Sequence, residues 1–231
     1  MSIAENIARI RAQMDAAAIS AGRDPKQILL CAATKMNDAD AVRQAIAAGV
    51  DCCGENRVQE LLQKSEQNAY EGKPVHFIGH LQTNKVRQVV GKVDLIQSVD
   101  SVRLLQAIQD QAQKCGICQD ILLEVNIAQE DSKSGFTADA LSPVLEKMTD
   151  FGNIRVRGLM AIPPICQNKT DNHKFFQEIY QLSVDITAKK YDNVRVDILS
   201  MGMSGDFEDA IACGSTMIRV GTAIFGARNY G

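Results

Sequence analysis

Several features are missing from this chain, and each absence closes off a class of function. No apolar run approaches the ~20 residues that a membrane-spanning helix needs, so no membrane partner is expected. No cluster of basic residues offers a stripe for tracking phosphates, and the formal net charge of −3 with a pI near 5.7 points the same way. Nucleic acid is therefore not an expected partner. No linker, low-complexity tract or shift of composition divides the 231 residues, so 1–231 reads as one soluble globular domain. A chain of this length buries roughly 70–75% of its unfolded surface and can hold a core without staples.

The first residues are not those of a signal peptide. Ile3, Ile7, Ile10 and Met14 recur at helical spacing, acidic Glu5 and Asp15 lie among them, and Ser2 with Glu5 fits a capping box. A cytoplasmic location is expected. Of the seven cysteines, Cys31, Cys52, Cys53, Cys166 and Cys213 read as small buried hydrophobes of a reducing compartment. Cys115 and Cys118 form a C-x-x-C, but it closes a helix instead of opening one, so no dipole activates the thiols. Without a second pair to complete a zinc site, a turn with two incidental thiols is the expectation. No metal is expected.

Short β-branched runs alternate with amphipathic stretches. Strands are predicted at 28–33, 51–54, 75–78, 95–99, 121–125, 156–160, 196–199 and 217–220. Helical patterns fall at 39–48, 58–70, 102–114, 138–148 and 171–188. Eight strands with intervening helices predict an α/β fold, a (β/α)8 TIM barrel, with an extra N-terminal helix covering the barrel bottom. An open doubly wound sheet is the competitor, because periodicity does not report closure.

Barrel chemistry sits where strands end and loops lead into helices. Lys35 ends the first strand, where desolvation would favour a neutral amine able to condense with an aldehyde. By itself a solvated lysine is the commoner meaning; its partners change the weighing. The loop Ser200-Met201-Gly202-Met203-Ser204 precedes a helix with Ser204 as N-cap and acids in the first turn. Arg219-Val220-Gly221-Thr222 follows the last strand. These are the loops with which barrels often hold phosphate. Arg219 lies in an apolar segment and is either ion-paired in the core or a donor to a ligand. Asn56 and His80 lie at neighbouring strand ends; a loop histidine held by hydrogen bonds is the commoner meaning of His80. His76 and His173 have no constellation around them and are assigned no role.

Together with Gly54-Glu55-Asn56, Phe77-Ile78-Gly79-His80-Leu81-Gln82-Thr83-Asn84-Lys85 and Ala223-Ile224-Phe225-Gly226, these segments resemble the pyridoxal phosphate homeostasis protein family. Members of that family look like the barrel domain of alanine racemase standing alone. The resemblance spans essentially the whole chain. It implies pyridoxal 5′-phosphate (PLP) as cofactor, Lys35 as the Schiff-base lysine and Arg219 facing the pyridine nitrogen. Ser204, Gly221 and Thr222 would lie at the phosphate, with Ser200 and Asn56 as further cofactor contacts. Met36-Asn37-Asp38 departs from a segment that contains proline in many relatives, which affects the loop shape and not the lysine.

An arginine donates to a pyridine nitrogen without protonating it, so the ring is a poorer electron sink and transamination is disfavoured. The expectation is a protein of vitamin B6 homeostasis that carries PLP, with PLP-dependent apoenzymes as recipients and no catalytic residue assigned. A weakly active racemase is the first alternative. It lacks a second base: the chain ends at Gly231, soon after the barrel motifs, and Tyr70, Tyr180, Tyr191 and Tyr230 fall on helices or near the ends. A Schiff-base barrel enzyme working without PLP is the second alternative, with Glu124 as its one acidic residue near the strand ends.

Overall fold

In a computed structural model, residues 1–128, 130, 134–164 and 169–226 are described. Eight parallel strands close into a barrel in sequence order. They are β1 (Leu29–Ala33), β2 (Cys52–Glu55), β3 (Val75–Phe77), β4 (Leu95–Val99), β5 (Gln119–Val125), β6 (Ile154–Ala161), β7 (Val194–Ser200) and β8 (Met217–Val220). Closure is carried by β1 and β8, where Leu29, Leu30, Cys31 and Ala32 pair with Met217, Ile218, Arg219 and Val220. That ladder excludes the open sheet.

The helices are α1 (Ile3–Ser20), α2 (Ala39–Ala47), α3 (Val58–Glu66), α4 (Val102–Cys115), α5 (Ala138–Glu146), α6 (Lys169–Lys189), α7 (Phe207–Ala212) and α8 (Thr222–Phe225). Between β3 and β4 a six-residue 3-10 segment, Thr83–Gln88, stands in for a helix. Side-chain caps start several of them: Asp38 accepts from Ala41, Ser101 from Leu104, and Ser2 and Glu5 complete the capping box. Between β6 and β7, Gly158 adopts φ +148°, and a Cβ there would stand 1.8 Å from the Ile198 carbonyl oxygen. Only glycine lets the two backbones approach so closely.

α1 does not cover the barrel bottom. Its buried face of Ile7, Ile10, Met14 and Ala18 packs with Leu30, Ala32, Ile218 and Val220, the outward side chains of β1 and β8. The cause is the brevity of α8, which spans four residues and leaves the β8–β1 flank bare. α1 fills that place in the outer ring, and each fully buried Ile or Met stabilises it by about 1.5–3 kcal/mol. Asn6 Nδ2 donates to the Ile224 carbonyl at 2.9 Å and ties α1 to α8.

Candidate functional site

Lys35 is half-buried at the end of β1, and the chain on either side of it is fastened. Lys64 Nζ donates to the Thr34 carbonyl at 2.8 Å, and Thr34 Oγ1 donates to Glu55 Oε1 at 2.6 Å. On the far side the Met36 amide donates to Glu60 Oε2 at 2.6 Å. Met36 itself stands in the left-handed region at φ +61°, which is how the chain turns from β1 towards the Asp38 cap without a proline.

Behind these contacts lies a buried ion pair, Lys64 Nζ to Glu55 Oε1 at 2.7 Å. The Tyr70 hydroxyl also donates to Oε1, at 3.2 Å, while Oε2 has no partner among the described residues. Burial pushes the Glu55 carboxyl above its ordinary range, against the pull of Lys64. Glu55, Glu60 and Lys64 were not singled out in the sequence. A Glu-x4-Glu-x3-Lys spacing beginning at the end of a strand is the one signal that marks them.

Arg219 points into the barrel from β8 and is 5% exposed. Its Nη1 donates to the Ser200 carbonyl at 2.8 Å and to Ser200 Oγ at 2.6 Å, and its Nη2 donates to the Ala161 carbonyl at 3.0 Å. Ala161 and Ser200 are the last residues of β6 and β7, so the guanidinium lies at the level of the barrel mouth. The acceptors are neutral, and among the described residues no carboxylate forms an ion pair with it. Burial lowers its pKa, offset by the longer-range charges of Cys31, Glu124 and Asp206. The core ion pair weighed from sequence is therefore not what this arginine makes. Ser200 is fully buried and its hydroxyl is spent on Arg219 and on Gln97 Oε1, the latter at 2.7 Å. Its position is that of a support beneath the guanidinium.

The loops after β7 and β8 meet above Arg219. Gly202 holds φ +96°, where a Cβ would strike Ala210 Cβ at 2.7 Å, and its carbonyl accepts from the Arg219 amide at 3.0 Å. α7 begins at Phe207 with Asp206 in the cap position, so Ser204 is not an N-cap. Asp206 takes that place because its Oδ1 accepts from the Met203 amide at 2.6 Å, which closes a tight turn ahead of the helix. Ser204 Oγ instead accepts from the Ala223 amide at 3.3 Å and joins the two loops. Gly221 is half-buried, and a Cβ on it would stand 3.4 Å from Ala33, two residues before Lys35; Thr222 is exposed. Lys35, Ser204, Arg219, Gly221 and Thr222 thus fall at one end of the barrel, around β1, β7 and β8.

Asn56 sits across the mouth. Its Oδ1 is buried with no partner among the described residues, beside a cavity of about 340 Å³ lined also by Gly79, His80, Glu124 and Asn126. His80 is exposed and its Nδ1 lies 3.1 Å from Asp100 Oδ2, the hydrogen-bonded loop histidine foreseen. Burial and Asp100 raise the Glu124 carboxyl, while Arg219 and His80 oppose them.

His173 pairs with Asp209 at 3.2 Å on the outer surface. His76 does have a constellation: its Nδ1 lies 2.9 Å from Gln97 Nε2 and 3.6 Å from Cys52 Sγ inside the barrel. The sequence separation of 21–24 residues hid this, because adjacent strands bring those positions together. Cys115 and Cys118 are exposed free thiols around Gly116, which ends α4 in the left-handed conformation. Cys31, Cys52, Cys53 and Cys213 are buried, and Cys166 lies outside the described residues. No helix among the described residues is long and apolar enough to cross a membrane.

Residues 2–229 match the family model of the alanine racemase N-terminal domain. The pyridoxal phosphate homeostasis protein of Aquifex aeolicus is 40% identical over 230 residues, covering 100% of both chains. PipY of Synechococcus elongatus, solved with PLP bound, is 32% identical at a TM-score of 0.84, covering 97% of this chain and all of that one. Alanine racemase of Clostridium difficile shares the fold at a TM-score of 0.74 and 15% identity, with 57% of its length covered.

Proposed function

Since the chain belongs to the alanine racemase N-terminal domain family, among the pyridoxal phosphate homeostasis proteins, we propose that it binds PLP and serves vitamin B6 homeostasis. Lys35 holds the cofactor as a Schiff base, Arg219 faces the pyridine nitrogen, and Ser204, Gly221 and Thr222 receive the phosphate. The observation that carries this reading is the buried Arg219 cation, held by neutral oxygens at the mouth. A buried charge left in that state costs several kcal/mol unless an acceptor completes it.

The residues present suit the group. Ser204 Oγ and the Ala223 amide already face one another, so an anion arriving between the loops meets a hydroxyl and a backbone donor. The unpartnered Asn56 Oδ1 suits a donor on a ring substituent. When bound, PLP supplies an electrophilic aldehyde and a ring that accepts electrons. The protein's part is to hold Lys35 at a fixed angle through Thr34 and Met36 and to present a permanent cation to the ring. Ser200 orients that cation.

A carrier fits better than a racemase because, among the described residues, no tyrosine is placed over the mouth. Tyr70 is buried against Glu55, Tyr180 lies on α6 with its ring against Gly214, and Tyr191 follows α6; Tyr230 lies outside the described residues. PLP-dependent apoenzymes are the matching class of recipient. The free buried thiols support a cytoplasmic setting, and the span of the family match supports reading 1–231 as one domain.

Arg219→Ala tests the assignment. A charge-assisted hydrogen bond contributes about 1.5–3 kcal/mol, so the variant is expected to lose PLP on dialysis with an affinity roughly 10- to 100-fold weaker. Retention equal to that of the parent protein would make Arg219 a core residue only.

A further inference from the structure

We propose that Cys31, Cys52 and His76 form a binding site for a thiophilic d10 metal ion, zinc(II) or copper(I), inside the barrel below the mouth. The inference stands independently of the PLP reading. β1, β2 and β3 contribute one ligand each, and Cys31 and Cys52 are direct partners across the β1–β2 ladder. Their sulfur atoms and a His76 ring nitrogen all lie within 4.8 Å of one another, with Cys52 Sγ to His76 Nδ1 at 3.6 Å. At the usual zinc–nitrogen and zinc–sulfur lengths of ~2.0–2.3 Å, one ion can bridge the Cys52–His76 pair at its 3.6 Å spacing.

The hydrogen bonds also prepare the imidazole. Ser200 Oγ donates to Gln97 Oε1, which turns the Gln97 amide nitrogen towards His76 Nδ1. Nδ1 then accepts from Gln97 and carries no proton, which is the tautomer that can ligate through Nδ1. On metal binding Gln97 gives up that contact but keeps Met217 Sδ at 3.2 Å as an acceptor.

The donor set selects the ion. Two thiols and an imidazole, with Met217 in the same buried cluster as both cysteines, are soft ligands suited to zinc(II) and copper(I) and unsuited to magnesium or calcium. Binding releases the protons of the coordinating thiols to solvent. Two thiolates and one zinc(II) make a cluster with no net charge of its own, which removes the desolvation cost of the bare anions. Among the three ligands His76 is the most accessible at 6% exposure, with Cys31 sealed at 0%, so loading is expected to be slow.

The test must separate this site from the exposed Cys115–Cys118 pair. The full chain, the Cys115→Ser/Cys118→Ser variant and a Cys52→Ser variant are incubated with zinc sulfate under a thiol-free reductant and desalted. Metal is then counted by native mass spectrometry, with a copper(I) arm run in parallel. One ion per chain is expected in the first two proteins, and affinity at least about tenfold weaker in Cys52→Ser. No metal in the Cys115→Ser/Cys118→Ser protein with either ion, or full retention by Cys52→Ser, overturns the proposal. Should Cys52→Ser not fold, cobalt(II) added to the Cys115→Ser/Cys118→Ser protein decides. A near-ultraviolet sulfur-to-cobalt band is expected, and its absence overturns the proposal.

Discussion

Lys35→Ala protein, loaded with PLP and reduced with borohydride, is expected to carry no covalent adduct, while the parent protein carries one on the peptide containing residue 35. A complete loss is expected, since on the proposed reading a single amine forms the covalent bond. The fold should survive. Lys35 is half-buried, and the groups that fasten its neighbours, namely the Thr34 carbonyl, the Thr34 hydroxyl and the Met36 amide, are untouched. Lys64, whose Nζ reaches the Thr34 carbonyl beside Lys35, is not available as a rival amine. It is buried, and its Nζ donates to the Thr34 carbonyl and to Glu55. Peptide mapping by mass spectrometry settles the assignment: an adduct that persists on another lysine in Lys35→Ala would sink it.

The second large effect belongs to the pair behind that lysine. Lys64→Met removes the cation and leaves Glu55, which is 0% exposed, without its counter-charge. Breaking a buried pair in this way costs about 3–5 kcal/mol. For a chain of this length that lowers the melting temperature by roughly 6–20 °C.

The pH dependence follows from the direction of the Glu55 shift. Burial already raises its carboxyl above the unfolded value, and loss of Lys64 raises it further. Near neutral pH the folded variant then binds a proton that the unfolded chain does not. Stability accordingly falls as pH rises through the window between the unfolded and folded pKa values. Urea unfolding at pH 5.5 and at pH 8 should show the greater loss at pH 8. A cost below about 1 kcal/mol, or a loss equal at both values, would contradict this account. The variant should also hold PLP less well, since the Thr34 carbonyl is released next to Lys35.

Much of the architecture was legible from residue order because strand and helix patterns are local. β4 and β8 fall at the predicted bounds and the other strands within a few residues of them. The predicted helix over 58–70 stops at Glu66, since Asn68 and Glu71 turn left-handed there and Tyr70 leaves the helix to reach Glu55. The helix predicted over 138–148 likewise closes at Glu146, and a 3-10 turn at Met148–Asp150 follows. Ser204 was misplaced as a cap because α7 starts only at Phe207, and the Ser204 hydroxyl accepts from the distant Ala223 amide instead.

The alternation of strands and helices, the position of Lys35 at a strand end and the two small-residue loops follow from the chain alone, because periodicity and turn chemistry act over a few neighbours. The ring of contacts around the mouth, the neutral cradle of Arg219, the Glu55–Lys64 pair and the meeting of Cys31, Cys52 and His76 were decided only when β1 met β8 and adjacent strands came into register. The Glu55–Lys64 pair joins residues 9 positions apart, and the Arg219 cradle reaches back 58 positions to Ala161. Distance along a chain carries no record of which inward-facing side chains a closed barrel will bring together.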